Sequence, residues 1–262
     1  MELQILFPIV AGLFGLVVGS FLNVVIDRMV EGHDIVRGRS MCDHCHRTLT
    51  WWELIPVVSY IAFGGRSHCC HTPLSIQYPI VESTTAILWG ALAYTAVPTI
   101  VADPSYIHII LFVADAVFIA SGITLFFSDV RYQLVAVPLL WISAISGSIH
   151  ILCQYQPWLG QANLWPVTMT LLSAMGAYIF LELLRLITRG KAMGDGDPPM
   201  AAIVGLMTGY PLVIVAMYIA FLTGAVVGVI LMIGKKSTLK SKIAFGPFLI
   251  IGGCASLIWG YP

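Results

Sequence analysis

Asp129 closes an apolar run as Phe126-Phe127-Ser128-Asp129, and Asp197 stands in Met193-Gly194-Asp195-Gly196-Asp197-Pro198, just ahead of another. Two carboxyl groups brought face to face cannot both ionise easily. One keeps its proton, and the pair titrates in two separated steps. Such a pair supplies a base to activate water and an acid to protonate a leaving amine, so it can hydrolyse a peptide bond without a covalent nucleophile or a catalytic metal. Gly194 and Gly196 permit close backbone approach and unusual φ angles, which would let Asp197 be held against a partner. Rival parts are missing from the sequence: it has no His-Glu-x-x-His and no Gly-x-Ser-x-Gly.

Ionisable groups in or beside hydrocarbon are costly, so Glu82, Asp115, Asp129, Glu182, Asp195 and Asp197 are all candidates for function. Each also has an ordinary explanation. Asp195 or Asp197 could cap the helix beginning at Pro198. Asp115, in mid-span, could bond to a neighbouring helix. Glu182 and Arg185 form an i,i+3 pair.

A second chemistry belongs to cysteine. Cys42-Asp-His-Cys45 is a C-x-x-C, and Ser67-His68-Cys69-Cys70-His71 follows after an aromatic run. Two thiolate pairs brought together suit a tetrahedral zinc ion. A segment this short builds little core alone, so a metal staple would hold it. The second cluster is irregular, with Ser67 where a regular knuckle has cysteine. Cys42, Cys45 and Cys70 are the expected ligands. Cys69 would need some backbone strain to ligate beside Cys70, and His68 or His71 could take the fourth place instead. Cys153 and Cys254 lie in apolar stretches and read as core packing.

The elements that must position these groups are membrane helices. The 262 residues are 58% hydrophobic and 10% charged, with mean hydropathy +0.91. Soluble domains carry about 25% charge. Equal numbers of basic and acidic residues leave no net charge, so there is no basic field for nucleic acid. Stretches able to cross the hydrocarbon are Ile5–Ile26, Pro79–Val97, Tyr106–Phe127, Leu134–Cys153, Leu164–Ile187 and Ile243–Trp259. Pro198–Gly234 is too long for one span and reads as two helices, the first short, joined by a tight turn at Tyr210–Pro211. The expected fold is therefore an all-α polytopic membrane protein of about eight transmembrane helices. A small cytoplasmic zinc-binding insertion follows the first helix. The domains expected are 1–26 (first transmembrane helix), 27–78 (zinc-binding domain) and 79–262 (transmembrane aspartyl peptidase domain).

With that count, all 13 Lys and Arg fall on one side, which the positive-inside tendency makes cytoplasmic. Asp129, Asp197 and the cysteine segment share that side, and its reducing environment favours metal over disulfides. Both termini are expected outside. Met1–Gln4 lacks a basic n-region and no small-residue cleavage motif follows, so the first helix is expected to remain.

These residues resemble the bacterial type IV prepilin peptidase family along nearly the whole chain. Gly19-Ser20-Phe21-Leu22-Asn23-Val24-Val25-Ile26-Asp27-Arg28 is similar to its first-helix exit. Arg39-Ser40-Met41-Cys42 through Cys45, then Trp52-Glu53-Leu54-Ile55-Pro56-Val57-Val58-Ser59-Tyr60, is similar to its cytoplasmic zinc domain. Gln77-Tyr78-Pro79-Ile80-Val81-Glu82 is similar to its second-helix entry, and Ala192-Met193-Gly194-Asp195-Gly196-Asp197 to its G-x-G-D signature. The resemblance implies Asp129 and Asp197 as the catalytic pair, with Asp195 the variable position. It implies cleavage of the short basic leader of prepilins or pseudopilins on the inner face of the bacterial cytoplasmic membrane, in type IV pilus or type II secretion systems. It further implies N-methylation of the new N-terminus from S-adenosylmethionine. Three positions depart from the family pattern: Ser67 in the second cysteine pair, Pro199 where a basic residue is common, and Val135-Ala136-Val137-Pro138 in place of I-P-[DN]. Two other readings follow from the same residues. An ion-coupled carrier using Asp115, Glu82 and the boundary acids would be expected to show duplicated halves and broken mid-membrane helices, and the sequence shows neither. An inactive relative would serve as an assembly scaffold.

Overall fold

The structure is a computed structural model that describes residues 2–32, 34–35, 37–42, 44–155, 164–190, 193–233 and 245–259. Its helices are α1 (Glu2–Glu31), α2 (Val58–Ala62), α3 (Gln77–Ala102), α4 (Tyr106–Tyr132), α5 (Val137–Tyr155), α6 (Leu164–Ile187), α7 (Asp197–Thr208), α8 (Leu212–Ile233) and α9 (Gly246–Trp259). No strand forms among the described residues, only isolated bridges at Met41–Thr48 and Arg66–Pro73. An all-helical fold is what a bilayer demands, because a helix satisfies its own backbone hydrogen bonds where no water can.

Six described helices are long and apolar enough to cross a membrane: α1, α3, α4, α5, α6 and α8. The other two differ from the expected spans. At 12 residues, α7 is about 18 Å long, and 14-residue α9 is about 21 Å. Both fall short of a hydrocarbon core of about 30 Å. The expected division of Pro198–Gly234 is present, with α7 ending at Thr208, Gly209 at φ 63° and α8 opening at Leu212 after a cis Tyr210–Pro211 bond. The segments 156–163 and 234–244, and with them Lys235, Lys236, Lys240 and Lys242, lie outside the described residues, as do Lys191 and Ala192.

The chain divides into two compact units, residues 1–104 and 105–262. In the first, α1 packs on α3 through glycines. A Cβ on Gly15 would lie 2.9 Å from the Ala86 Cα, and one on Gly19 would lie 2.7 Å from the Glu82 Cα. Small residues at such a stripe let membrane helices approach backbone to backbone. The opposite face of α1 exposes Ile9, Leu13, Phe14, Val17 and Phe21, an apolar surface that suits lipid and not water. Glu82 accepts a 2.7 Å hydrogen bond from the Val57 N–H, tying the segment between α1 and α3 to the helix pair. One of the candidate acids is thereby given a structural task.

In the second unit the short α7 is enclosed. Phe118 of α4, Ile203 and Met207 of α7 and Leu257 of α9 form a buried cluster, with Leu140 of α5 against it. On another side α6 closes in, where a Cβ on Gly205 would come within 2.8 Å of the Ser173 carbonyl. Nine of the residues of α7, Asp197 among them, are buried. The helix that begins at Asp197 is therefore fixed by packing along most of its length.

Candidate active site and metal centre

Asp197 is the first residue of α7, and Asp129 lies in the last turn of α4. Both side chains belong to buried residues. Each is delivered by a sharp local feature. After Asp129, α4 stops at Gln133, a left-handed C-cap with φ 51°, and the Ser128 hydroxyl donates to the Leu134 carbonyl at 2.8 Å. Before Asp197, the glycine loop is pressed onto Val135, and a Cβ on Gly196 would lie 2.4 Å from Val135 Cγ2. Close approach, and not an unusual φ, is what Gly196 provides: its φ is −84°, and Gly194 also lies outside the positive-φ set.

The Asp197 carboxylate accepts the Gly194 N–H at 2.8 Å, and the backbone of Gly246 at the start of α9 lies beside it. Neither aspartate of the loop acts as the cap envisaged from sequence. The N-cap of α7 is Gly196, without a side-chain hydrogen bond. Gly246 borders Asp129 as well: a Cβ there would lie 2.7 Å from Asp129 Oδ2 and 2.8 Å from Met200 Sδ. One glycine thus meets both carboxyl groups. It went unnoticed in the sequence because Gly-Pro ahead of an apolar run reads simply as a helix start.

The remaining acids have partners of another kind. Arg185 holds Glu182 with two bonds, Nε–Oε2 at 2.9 Å and Nη2–Oε1 at 2.6 Å, and its Nη1 reaches Asp195 Oδ1 at 2.5 Å. The i,i+3 pair is present, and it also clamps the loop two residues ahead of Asp197. Asp115 bonds His150 Nδ1 at 2.6 Å, and His150 Nε2 meets Gln154 Oε1 at 2.9 Å. That is the helix-to-helix role expected for a lone mid-span acid. His150 could have been found by the rule applied to the acids, since an ionisable ring in an apolar span needs a partner.

The cysteine segment is built from two turns of the same design. In the first, the Cys42 N–H donates to the Arg47 carbonyl and the His46 N–H to that of Cys42, with His46 at φ 55°. In the second, Ser67 donates to Thr72 and His71 to Ser67, with His71 at φ 56°. Ser67 therefore takes the place of Cys42, and Cys70 that of Cys45. The Sγ atoms of Cys42, Cys45, Cys69 and Cys70 all lie within 4.8 Å of one another and could hold a metal ion. The closest pairs are Cys45–Cys69 at 3.2 Å, Cys42–Cys70 at 3.7 Å and Cys69–Cys70 at 3.9 Å. A tetrahedral zinc with bonds of about 2.3 Å sets sulfurs about 3.8 Å apart, so the cluster fits one. Neither Cys69 nor Cys70 has a positive φ, and the strain expected of adjacent ligands is absent from their φ angles. His68 does not compete for the fourth place. Its ring packs on Trp52 and Phe63 at centroid distances of 4.8 and 5.0 Å and faces Glu53 Oε1 at 3.6 Å. Cys153 and Cys254 are buried, free and apart from the cluster.

Electrostatics around the sulfurs favour a cation. Hydroxyls of Ser67 and Thr72 and the Thr72 N–H hold the Cys70 thiol down to about 5. The Arg47 main chain favours a Cys45 thiolate, but the adjacent Cys69 sulfur opposes a second negative charge and Cys45 is pushed up to about 11. Four thiolates this close need a positive ion between them to be charged together.

Comparison with known proteins finds matches along most of the chain. Residues 13–96 match the bacterial peptidase A24 N-terminal domain, and residues 116–229 match the type IV leader peptidase family. Prepilin leader peptidase/N-methyltransferases of Burkholderia pseudomallei (strain 1026b), Legionella pneumophila and Pseudomonas aeruginosa are 30%, 29% and 28% identical to this chain. The alignments cover 99%, 96% and 95% of it and 87%, 91% and 89% of the relatives. No solved structure gives a match. Domain by domain and over nearly its full length, the chain belongs to the type IV leader peptidase family.

Proposed function

We propose that this protein is a membrane-embedded aspartic endopeptidase that removes the short basic leader of prepilins or pseudopilins, with Asp129 and Asp197 as its catalytic pair. The observation that carries the reading is that two buried aspartates, far apart in sequence, border the same glycine, Gly246. One carboxylate takes a proton from water as its oxygen attacks the scissile carbonyl carbon. The other carboxyl gives a proton to the amide nitrogen as the C–N bond breaks. The products are a leader carboxyl and a free amine on the mature chain. Enclosure of α7 holds Asp197, and the Arg185 clamp holds its loop.

The reaction takes place at the cytoplasmic face of the inner membrane. Arg131, Arg185 and Arg189 flank the two aspartates in sequence, and basic residues gather on that side. A structural zinc ion would be held by Cys42, Cys45, Cys69 and Cys70, and its chemistry is to neutralise four thiolates and staple two turns. The methyltransferase activity named for the relatives would act on the amine that cleavage frees, using S-adenosylmethionine. The described geometry assigns no residues to that donor.

Co-expression with a prepilin, followed by mass spectrometry of its N-terminus, tests both activities. The expected product is the leaderless chain carrying one added methyl group. A prepilin that keeps its leader contradicts the reading.

A further inference from the structure

Asp129 and Asp197 stand in opposite electrostatic settings. Asp197 begins α7, and its carboxylate lies beside the backbone of Gly246, which begins α9. Helix N-termini carry partial positive charge and favour an anion. Its donor, the Gly194 N–H at 2.8 Å, bonds best to a charged acceptor. Asp129 lies in the last turn of α4, where the helix dipole is negative and opposes a carboxylate. Its Oδ2 is buried and has no hydrogen-bond partner among the described residues. An unpaired buried oxygen is far less costly as a neutral group than as a charged one.

Resting on the peptidase reading above, we infer that Asp197 is the charged member of the pair and Asp129 the member that carries the proton, with Gly246 as the residue that positions both. The division fixes the direction of the reaction. Asp197 takes the proton of the attacking water, and Asp129 releases its own to the leaving nitrogen. When the products leave, the proton on Asp197 passes back to Asp129 and the pair is reset. Gly246 serves through its backbone beside Asp197 and through its missing Cβ, which leaves room for Asp129 Oδ2.

Infrared spectroscopy of the full-length protein in detergent at neutral pH reads the protonation directly, without substrate. A protonated-carboxyl C=O band is expected in the unmodified protein, absent in Asp129→Asn and retained in Asp197→Asn. A band retained in Asp129→Asn and lost in Asp197→Asn reverses the assignment and overturns it. Gly246→Ala is expected to move the band and to lower kcat by about 100-fold, as a displaced reacting group does, with KM changed less than about twofold. A Gly246→Ala protein with an unmoved band and full kcat overturns the role of Gly246. These spectra stand apart from cleavage: if the protein failed to process any prepilin, the location of the proton would still be read.

Discussion

Gly196 and Val135 touch so closely that a Cβ on the glycine would lie 2.4 Å from Val135 Cγ2 and 2.7 Å from its Cβ. This contact joins the loop that carries Asp197 to the segment that follows Asp129. Gly196→Ala is expected to push the loop away and reduce leader cleavage by about 100-fold while the protein still inserts. Adding Val135→Gly removes all three blocking atoms and should restore most of the rate. A steady-state assay on a prepilin substrate compares the single and double variants.

Arg185, itself gripped by Glu182 of the same helix, holds that loop through Asp195. Arg185→Ala is expected to lower kcat by about tenfold, a loss of about 1.4 kcal/mol in transition-state stabilisation. Lysine lacks the planar fork that grips Glu182 with two bonds, so Arg185→Lys should recover little. Asp195→Asn keeps an acceptor oxygen for the guanidinium and removes only an exposed charge, so it should be close to neutral. The same steady-state assay measures all three.

The equivalence of the two cysteine turns gives a prediction about metal. Cys69→Ser should lower the zinc content of the purified protein, since one of four sulfurs is lost. Adding Ser67→Cys places a thiol where the first turn has Cys42, and zinc should return to about one per chain. Elemental analysis of the two variants beside the unmodified protein decides it.

Glu53 links that segment to pH. Burial opposes its charge, but the Thr50 hydroxyl and N–H donate to it at 2.6 and 2.8 Å, and Arg47 and His68 face it, so its pKa lies below the ordinary 4.5. A carboxylate with a lowered native pKa adds stability that is complete above its unfolded value and lost as pH falls through the native one. Protease resistance of the segment in the full chain should therefore weaken below pH 4.5. In Glu53→Gln it should be lower at neutral pH and show less of this acid dependence.

Much of this was legible in the sequence, for identifiable reasons. Long apolar runs such as Tyr106–Phe127 state their own fate in lipid, and Tyr210–Pro211 marks the break between α7 and α8. Asp129 and Asp197 stood out because a charge at a membrane edge must have a purpose. What stayed hidden depends on packing. The late start of α9, at Gly246, is invisible where apolar residues precede it. Ser67 looked like a lost ligand, and only the folded turn shows Cys69 beside Cys70 supplying the sulfur while the Ser67 hydroxyl stays within 3.0 Å of Cys70 Sγ. Gly246 offers no side chain to notice. Its importance lies in the room it leaves for Asp129 Oδ2.

The central claim is that Asp129 and Asp197 work as one unit, and cleavage of a synthetic prepilin peptide under single-turnover conditions tests it most directly. Asp129→Asn and Asp197→Asn should each slow the reaction by at least about 1,000-fold, and the double variant should be no slower than either alone. If either single variant cleaved within tenfold of the unmodified enzyme, or if the two losses simply multiplied, the pair would not be the catalytic unit.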